Sequence, residues 1–337
     1  MDEITQSVKN YEWNKSAYKD VCVVLVTYNR KQLLKELLYS LTRQTYPIST
    51  IVIVDNASTD GTVQSLIDDG IIVRAEIGKI SCNQWNDIHI QYYLNSQNAG
   101  GSGGFEKAFT IANNISSDYI WAMDDDVEPD NDCLEILMRS ITDHSKVCVP
   151  CRNDERWTDK IITKYDLSNP FLYNLDRIKT IVDSTTINTS EVEIVDMPLE
   201  GPLIDSRLCK DVGTPNSDYF IMFDDTDFAH RLSQVTTIKY IKEARLHRKL
   251  ASNKSQKSEW TWKEYYLLRN SFYFDKKYGK NVFVRKCRPM ISASLKIVSA
   301  IIRRKPFRAR LVHKAFHDAR FNRMGKQIEP GTDITRL

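Results

Sequence analysis

The chain has 337 residues, of which 42% are hydrophobic and 27% are charged, values typical of a globular protein with one large domain and appendages. The formal net charge of +3 is too small to indicate a polyanionic partner for the chain as a whole. The polar start Met1-Asp2-Glu3 lacks the layout of a signal peptide, and no run approaches eighteen apolar residues. We therefore expect neither a signal peptide nor a transmembrane helix.

Seven cysteines are scattered along the chain, several of them inside apolar runs. Only Cys148 and Cys151 have the spacing of a zinc or redox half-site, and no second Cys or His pair follows at the spacing of a metal finger. Buried or bystander thiols in a reducing cytosol are the favoured interpretation.

The first half of the chain begins with a polar leader, residues 1–20. Residues 21–26 follow as an apolar run without helical period, which predicts a buried strand of a parallel sheet. Leucines then recur at helical spacing from Leu33 to Leu41, and they predict an amphipathic helix over residues 31–43.

Three further strands are predicted at residues 51–54, 90–94 and 119–123. Ser58 or Thr59 is expected to cap the helix after the second strand, and a helix is expected to begin near Phe105. The segments that end the four strands are residues 27–30, 55–60, 98–104 and 124–126. Alternating strands and helices predict a doubly wound α/β sheet, in which these four segments converge as a ligand site.

The second half of the chain is less periodic. Residues 152–195 predict an insertion with strands, and helices dominate beyond Glu259. The predicted organisation is a leader at residues 1–20, a catalytic domain at residues 21–258 and a basic helical region at residues 259–337.

The triplet Asp124-Asp125-Asp126 follows the fourth predicted strand directly. Three adjacent carboxylates repel one another unless a cation or solvent relieves them. Since alternate residues of an extended segment point the same way, Asp124 and Asp126 can bind one ion, of Mg²⁺ or Mn²⁺, while Asp125 points elsewhere. The alternative is a solvated acidic loop.

The block from Asn98 to Gly104 holds four glycines. Glycines allow close backbone approach, and amides at a helix start favour anions. The block is neither a Walker loop nor a good dinucleotide fingerprint. The other interpretation is a flexible turn.

A second acidic group, Asp224, Asp225 and Asp227, follows the apolar run at residues 219–223, which we interpret as a strand. A carboxylate beside such a strand can act as a general base, or it can cap a helix. His247 follows another predicted strand, and it becomes a metal ligand only if the fold brings it to the triplet.

Six blocks together resemble the family 2 glycosyltransferases of the GT-A fold, and more narrowly the bacterial galactofuranosyltransferases. They are VTYNR (26–30), VDNASTDG (54–61), NAGGSGGF (98–105), WAMDDD (121–126), FDDTDF (223–228) and WKEYYLLRN (262–270). The resemblance covers roughly residues 20–275. It implies a Rossmann-like, mixed but mainly parallel sheet flanked by helices, with a helical C-terminal extension.

The resemblance also implies roles for individual residues. Asp225 would be the catalytic base with Asp224 as its neighbour, and the metal ligands would be Asp124, Asp126 and His247. The residues implied for the nucleotide-sugar donor are Thr27, Asn29, Arg30, Asp55, Asn98, Gly100, Gly101 and Asp125. Those implied for the acceptor are Trp157, Glu200 and Gly201.

The implied reaction is an inverting, metal-assisted single displacement with Mn²⁺ or Mg²⁺. It would move galactofuranose from UDP-galactofuranose to a hydroxyl of a lipid-linked glycan, in the synthesis of a bacterial surface polysaccharide such as an O-antigen or capsule. A rhamnosyltransferase using dTDP-rhamnose is the alternative. A nucleotidyltransferase and a non-catalytic carbohydrate-binding protein are less favoured, since the first would place its glycines and a basic residue at the first strand.

The region from Arg285 to Lys326 is rich in Lys and Arg interspersed with apolar residues. Such a segment predicts peripheral contact with the inner face of the plasma membrane, in a protein otherwise expected in the cytoplasm. A solvated helical face is the other interpretation. No recognised nucleic-acid module accompanies the basic run, and a homo-oligomer is neither indicated nor excluded.

Overall fold

A computed structural model describes residues 18–172, 178–250 and 260–336. Most of the predicted leader, at residues 1–17, lies outside the described residues. The strands are β1 (Val21–Thr27), β2 (Thr50–Asp55), β3 (Ile80–Trp85), β4 (Ile88–Leu94), β5 (Tyr119–Asp124), β6 (Val127–Pro129), β7 (Val147–Cys151), β8 (Lys160–Tyr165), β9 (Lys179–Asp183), β10 (Glu191–Ile194), β11 (Leu203–Asp205) and β12 (Ile238–Arg248). The helices are α1 (Lys31–Leu41), α2 (Thr62–Asp68), α3 (Gly100–Ala112), α4 (Cys133–Ser140), α5 (Ser206–Val212), α6 (Asp224–Leu232), α7 (Trp262–Tyr278), α8 (Arg288–Ile302) and α9 (Pro306–Arg320).

The central sheet has the strand order β10-β12-β7-β11-β5-β1-β2-β4-β3, with β6 paired to β12. β1 runs parallel to both β2 and β5, and β2 runs parallel to β4. β11 is antiparallel to β5 and β7, and β8 and β9 form a separate hairpin sheet. The prediction of a mixed, mainly parallel sheet flanked by helices is confirmed.

Helices cover both faces of the sheet, which explains why β1 has no alternation of polar and apolar residues. Val23 and Leu25 pack into a core with α1 and α4, whereas Val24 packs into a second core with Phe109 of α3 and Phe228 of α6. All seven residues of β1 are buried.

The C-terminal helices α7, α8 and α9 form a third apolar core with Phe220, Tyr265, Tyr266, Leu311 and Val312 among its members. Phe220 comes from the segment that precedes α6, so this core attaches the helices to the catalytic half of the chain. None of the helices in the described ranges has the length and apolarity needed to cross a bilayer.

Three local predictions were wrong. The glycine block is the start of α3 rather than a loop before it, because a helix beginning at Gly100 can pack closely on β1. Residues 219–223 form a tight turn rather than a strand, with left-handed backbone at Phe220, Met222 and Phe223. Neither Ser58 nor Thr59 caps α2, whose start is Gly61 in a left-handed conformation.

Gly104 lies where α3 contacts β1, and a Cβ atom there would come within 2.4 Å of Val26 Cγ1. Because the core gives way poorly, we expect Gly104→Ala to lower the free energy of unfolding by about 1–3 kcal/mol. A Cβ at Gly101, by contrast, meets no atom within 4 Å. Gly101→Ala should therefore leave stability unchanged or raise it by up to about 1 kcal/mol. Urea denaturation of both variants checks this contrast, and equal effects would contradict the packing account.

Candidate active site

A cleft of about 500 Å³ opens beyond the carboxyl ends of β1 and β5. Chain segments that are distant in sequence form its walls, among them the ends of these two strands, the start of α3, residues 198–200, the turn before α6 and the first turn of α7. Of the residues predicted for the site, ten line the cleft: Thr27, Arg30, Asn98, Gly100, Gly101, Asp124, Asp125, Glu200, Asp224 and Asp225.

The aspartate triplet is tied to the end of β1. The buried Asp125 accepts hydrogen bonds from Thr27 Oγ1 at 2.7 Å and from Arg30 Nη1 at 2.8 Å. The same Arg30 nitrogen lies 3.2 Å from Asp126 Oδ2. Burial raises the pKa of Asp125, and Arg30 and Thr27 oppose that rise. Arg30 therefore neutralises part of the triplet and fixes the direction of Asp125.

Asp124 lies partly exposed in the cleft, at the end of β5. Desolvation raises the pKa of Asp124 well above its ordinary value, and the carboxylates of Glu200, Asp126 and Asp125 raise it further. A bound divalent cation would relieve this repulsion, and carboxylate oxygens are the ligands that Mg²⁺ and Mn²⁺ prefer. Asp124 and Asp126 both offer such oxygens, and of the two Asp124 lines the cleft.

Asp55 lies under the rim of the cleft rather than in its wall. Its fully buried carboxylate accepts hydrogen bonds from Tyr92 Oη and from the Ser58 amide, both at 2.7 Å. At the rim, Asn29 has a left-handed backbone, and its Oδ1 accepts a hydrogen bond from the Thr59 amide at 2.7 Å. These bonds join the loops after β1 and β2 into one rigid edge.

Side-chain amides hold the start of α3 beside this edge. Asn98 Oδ1 accepts a hydrogen bond from the Gly100 amide at 2.8 Å, and Asn56 Nδ2 donates to the Gly100 carbonyl at 2.9 Å. Gly100 has φ +76°, and a Cβ atom there would come within 2.1 Å of the Phe220 carbonyl oxygen. Only glycine allows α3 to lie this close to the turn before α6.

Asp224 and Asp225 open α6 directly after the left-handed residues Met222 and Phe223. Burial raises the pKa of Asp224 to about 6. Burial, followed by the carboxylates of Asp224 and Asp196, raises the pKa of Asp225 well above its ordinary value. A carboxylate in such surroundings takes up protons more readily than an exposed aspartate, as a general base requires.

The side chain of Asn270 on α7 holds the turn that aims these carboxylates. Its Nδ2 donates to the carbonyls of Tyr219, Ile221 and Met222 at 2.8–3.1 Å. The neighbouring Arg269, fully buried, donates to the Tyr219 carbonyl at 2.9 Å. Sequence reasoning matched this segment to the family but assigned it no role. Two polar residues inside an aromatic helix face were the available signal.

Glu200 joins the cleft to a network on its far side. It accepts hydrogen bonds from Arg152 at 2.8 Å and from Arg248 at 3.0 Å, and the Arg248 guanidinium lies 4.3 Å from the centre of the Trp157 ring. Asp225 also lines a smaller depression of about 160 Å³, which Arg152 helps to form. Asp225 therefore faces both the main cleft and this second depression.

The structure does not bring His247 and Gly201 to the cleft surface. The His247 Nε2 atom lies 2.9 Å from Asp130 Oδ1, in a separate surface depression. Gly201 is buried behind β5, where its carbonyl accepts a hydrogen bond from Trp121 Nε1. Within the described ranges, no three His, Cys, Asp or Glu side chains are grouped as a complete metal site.

A sheet covered by helices, with an acidic cleft beyond its strand ends, has the arrangement in which α/β proteins bind their ligands. The sequence pattern of the family described as Glycosyl transferase family 2 matches residues 22–192, about half of the chain. The chain belongs to this family.

Two relatives of known activity share part of the sequence. The galactofuranosyltransferase GlfT1 of Mycolicibacterium smegmatis is 24% identical over 216 residues, which are 63% of this chain and 65% of GlfT1. The abequosyltransferase RfbV of Salmonella typhimurium is 32% identical over 146 residues, which are 43% of this chain and 38% of RfbV. The chain thus spans less than two thirds of either relative.

Solved structures share the fold at low sequence identity. GalNAc-T7 with UDP, GalNAc and Mn²⁺ aligns with a TM-score of 0.56 and 11% identity, over 86% of this chain and 59% of GalNAc-T7. Residues 1–349 of S. aureus TarS with UDP-GlcNAc align with a TM-score of 0.53 and 15% identity, over 89% and 81% of the two chains. These likenesses support the fold assignment.

Removal of the Asn270 amide would take this donor from the carbonyls of Ile221 and Met222, whereas the Tyr219 carbonyl would keep its bond from Arg269. Because unpaired buried acceptors are costly, we expect Asn270→Ala to lower the free energy of unfolding by about 2–3 kcal/mol. Hydrogen exchange of the amides at residues 219–225 should accelerate as well. Ser271→Ala is the matched control, since the Ser271 hydroxyl bonds only within its own helix, to the Leu268 carbonyl. Unchanged exchange in Asn270→Ala would refute the role of this side chain.

Proposed function

We propose that this glycosyltransferase is an inverting, metal-dependent galactofuranosyltransferase that uses UDP-galactofuranose and acts on a lipid-linked glycan during the synthesis of a bacterial surface polysaccharide. The observation that carries the proposal is the presence of Asp225, at the start of α6, and Asp124, at the end of β5, in the lining of one cleft. GlfT1 supports the choice of sugar. The alternative donor is dTDP-rhamnose. The family and the fold favour glycosyl transfer over nucleotidyl transfer or simple carbohydrate binding.

The donor nucleotide is proposed to lie along the edge formed by Thr27, Asn29, Arg30 and Asp55, with its diphosphate toward the start of α3. Asn98, Gly100 and Gly101 face that position, and Asp125 is held between Thr27 and Arg30. The buried Asp55 carboxylate would support this edge through its hydrogen bonds from Tyr92 and the Ser58 amide.

Asp225 is proposed to be the catalytic base and Asp224 to raise its basicity by charge repulsion. Asp225 takes the proton of an acceptor hydroxyl, whose oxygen then attacks the anomeric carbon. The bond from that carbon to the diphosphate breaks, and the nucleoside diphosphate leaves with the electron pair. One displacement inverts the anomeric configuration.

The proposed metal ligands are Asp124 and Asp126, with His247 as a third candidate. When bound, Mn²⁺ or Mg²⁺ would offset the charge on the diphosphate. The acceptor is proposed to approach through the side of the cleft near Trp157, Glu200 and Gly201, where Asp225 borders the second depression. The helical region at residues 259–337 is proposed to hold the enzyme against the cytoplasmic side of a membrane.

Asp225→Asn should abolish proton abstraction while leaving the cleft intact. We expect kcat to fall at least about 100-fold, because a positioned base contributes that much or more. Thermal stabilisation by UDP should persist, since the base does not hold the nucleotide. Turnover is measured by release of UDP in the presence of acceptor.

The matched control is Asp211→Asn, which removes an exposed carboxylate from α5 without touching the cleft.

The base must be deprotonated to act, and the pKa of Asp225 is raised. As the pH is lowered, the kcat/KM of the wild-type enzyme should therefore begin to fall at a pH above the ordinary pKa of aspartate. Full activity of Asp225→Asn would exclude the proposed base.

UDP-galactofuranose should raise the melting temperature of the protein more than dTDP-rhamnose, UDP-glucose or GDP-mannose do, because a ligand bound only to the native state stabilises it. The shift should require Mn²⁺ or Mg²⁺ and disappear with EDTA. A larger shift with dTDP-rhamnose would identify the alternative donor, and no shift with any nucleotide sugar would contradict the proposal.

Variants assign the metal ligands within the same assay. Asp126→Asn should raise the Mn²⁺ concentration needed for the half-maximal shift in melting temperature at least about tenfold, since it removes a charged ligand. His247→Ala should do the same if the histidine turns from Asp130 to the ion. An unaltered metal response in His247→Ala would leave the bond to Asp130 as its role.

A further inference from the structure

A second cavity lies among the C-terminal helices and shares no residue with the strand-end cleft. It has a volume of about 510 Å³ and lies between α7, α8 and α9. Its apolar walls include Phe272, Pro289, Met290, Phe316 and Ala319. A cavity of this size and lining suits a hydrocarbon chain.

Four further residues of the cavity lining carry positive charge, and no lining residue carries negative charge. The cations are Lys276, Arg285, Lys286 and Arg320. Lys276 is held by the Arg320 carbonyl and by Asn322, each at 2.7 Å, and Arg285 Nε donates to a backbone carbonyl. Across the described ranges, none of the four forms an ion pair with a carboxylate. The exposed Lys286 and Arg320 are thus available to an anionic group.

An exposed apolar face of α8 begins at the cavity. Met290 is 47% exposed at its mouth, and the face continues with Leu295, Val298, Ile301 and Ile302 at 45–76% exposure. At 3.6 residues per turn these five side chains fall within about 140° of the helix circumference. Exposed Arg303, Arg304 and Lys305 follow directly. An apolar helix face with cations at both ends is typical of a surface that lies on an anionic bilayer.

We propose that the cavity binds one anionic phospholipid of the membrane, with the phosphate at Lys286 and Arg320 and an acyl chain against the apolar wall formed by Phe316, Pro289 and Met290. The exposed face of α8 enters the same leaflet. This inference deepens the proposed membrane contact but not the donor or the reaction. A free phosphate ion would leave the apolar walls unused, and a neutral lipid would leave the cations unpaired.

A phospholipid of the membrane accounts for the cavity better than the lipid-linked acceptor. An acceptor must present its hydroxyl at Asp225, whereas the lining residues of the cavity and the cleft do not overlap. Trp262 lines the cleft and Phe272 lines the cavity. Ten residues of α7 separate them, which correspond to about 15 Å of helix.

The cavity contains its own reporter, because Cys287 is a free, partly buried thiol in the lining. Cys82, a free and exposed thiol on β3, serves as an internal control. N-ethylmaleimide labelling of the full chain, resolved by mass spectrometry, gives the two rates without any sugar donor. Dioctanoyl phosphatidylglycerol, below its micelle concentration, should slow Cys287 about fivefold at about four times its Kd, because only the free fraction reacts. The Cys82 rate should not change.

Charge reversal tests the phosphate contact. In the double variant Lys286→Glu and Arg320→Glu, the Kd for phosphatidylglycerol, obtained from the protection of Cys287, should rise at least about 30-fold. Each cation near a phosphate contributes roughly a factor of five to the affinity, and reversal of its charge adds repulsion. Arg74→Glu with Lys79→Glu is the matched control, because it reverses two exposed charges near the other edge of the sheet and should retain protection.

Four results would overturn the proposal: no protection of Cys287 by phosphatidylglycerol, equal protection by phosphatidylcholine, protection by inorganic phosphate alone, or stronger protection by a short prenyl phosphate. The last would assign the cavity to the acceptor lipid. Sugar transfer to a soluble acceptor, measured in parallel, shows separately whether the transferase proposal holds.

Discussion

The hydrogen bonds from Asn270 to the turn before α6 are the constraint on which the rest of the active site depends. Residues of this turn adopt left-handed backbone at Phe220, Met222 and Phe223, a conformation that costs non-glycine residues about 1 kcal/mol or more each. The turn persists because α7 takes up three of its carbonyls. Asp224 and Asp225 follow at once, so their direction is set by a helix about fifty positions further along the chain.

The same turn also joins the donor side of the cleft to the base. The Ser102 amide donates to the Phe220 carbonyl at 3.2 Å, and Gly100 lies against that residue. Phe220 belongs to the apolar core of α7, α8 and α9. The C-terminal helices therefore hold the turn that borders the cleft.

Some carboxylates of the cleft are neutralised by arginine side chains of the protein, and others are not. Arg30 neutralises Asp125 and contacts Asp126, and Arg152 and Arg248 neutralise Glu200. The pKa values of Asp124 and Asp225 stay well above the ordinary value because burial, and after it the neighbouring carboxylates, disfavour the charged form. A cation bound at Asp124 and a proton taken up by Asp225 would relieve the most electrostatic repulsion in the cleft. This agrees with the roles proposed for the two residues.

Several features could be predicted from sequence because they depend on local pattern. The unbroken apolar run of β1, the leucine period of α1 and the polar segments after successive strands reflect burial and helix periodicity, and these fix the fold class. Seven of the ten predicted residues that line the cleft follow β1, β4 or β5, and they meet because the carboxyl ends of parallel strands share one edge. The start of α3 at Gly100 and the turn at residues 219–223 were predicted wrongly. In both places the backbone conformation depends on close packing against segments that are distant in sequence.

The sequence by itself determined the alternation of strands and helices in the first half of the chain, the location of the acidic segments and the family. Only the tertiary structure decided that Asn270 aims Asp225, that His247 bonds to Asp130, and that four cations meet an apolar cavity among the C-terminal helices. The physical reason is the range of the interactions. Periodicity and turn chemistry act over a few neighbouring residues. The stability of a buried amide or a left-handed turn, and the surroundings of a surface cation, depend on residues tens of positions away in the chain.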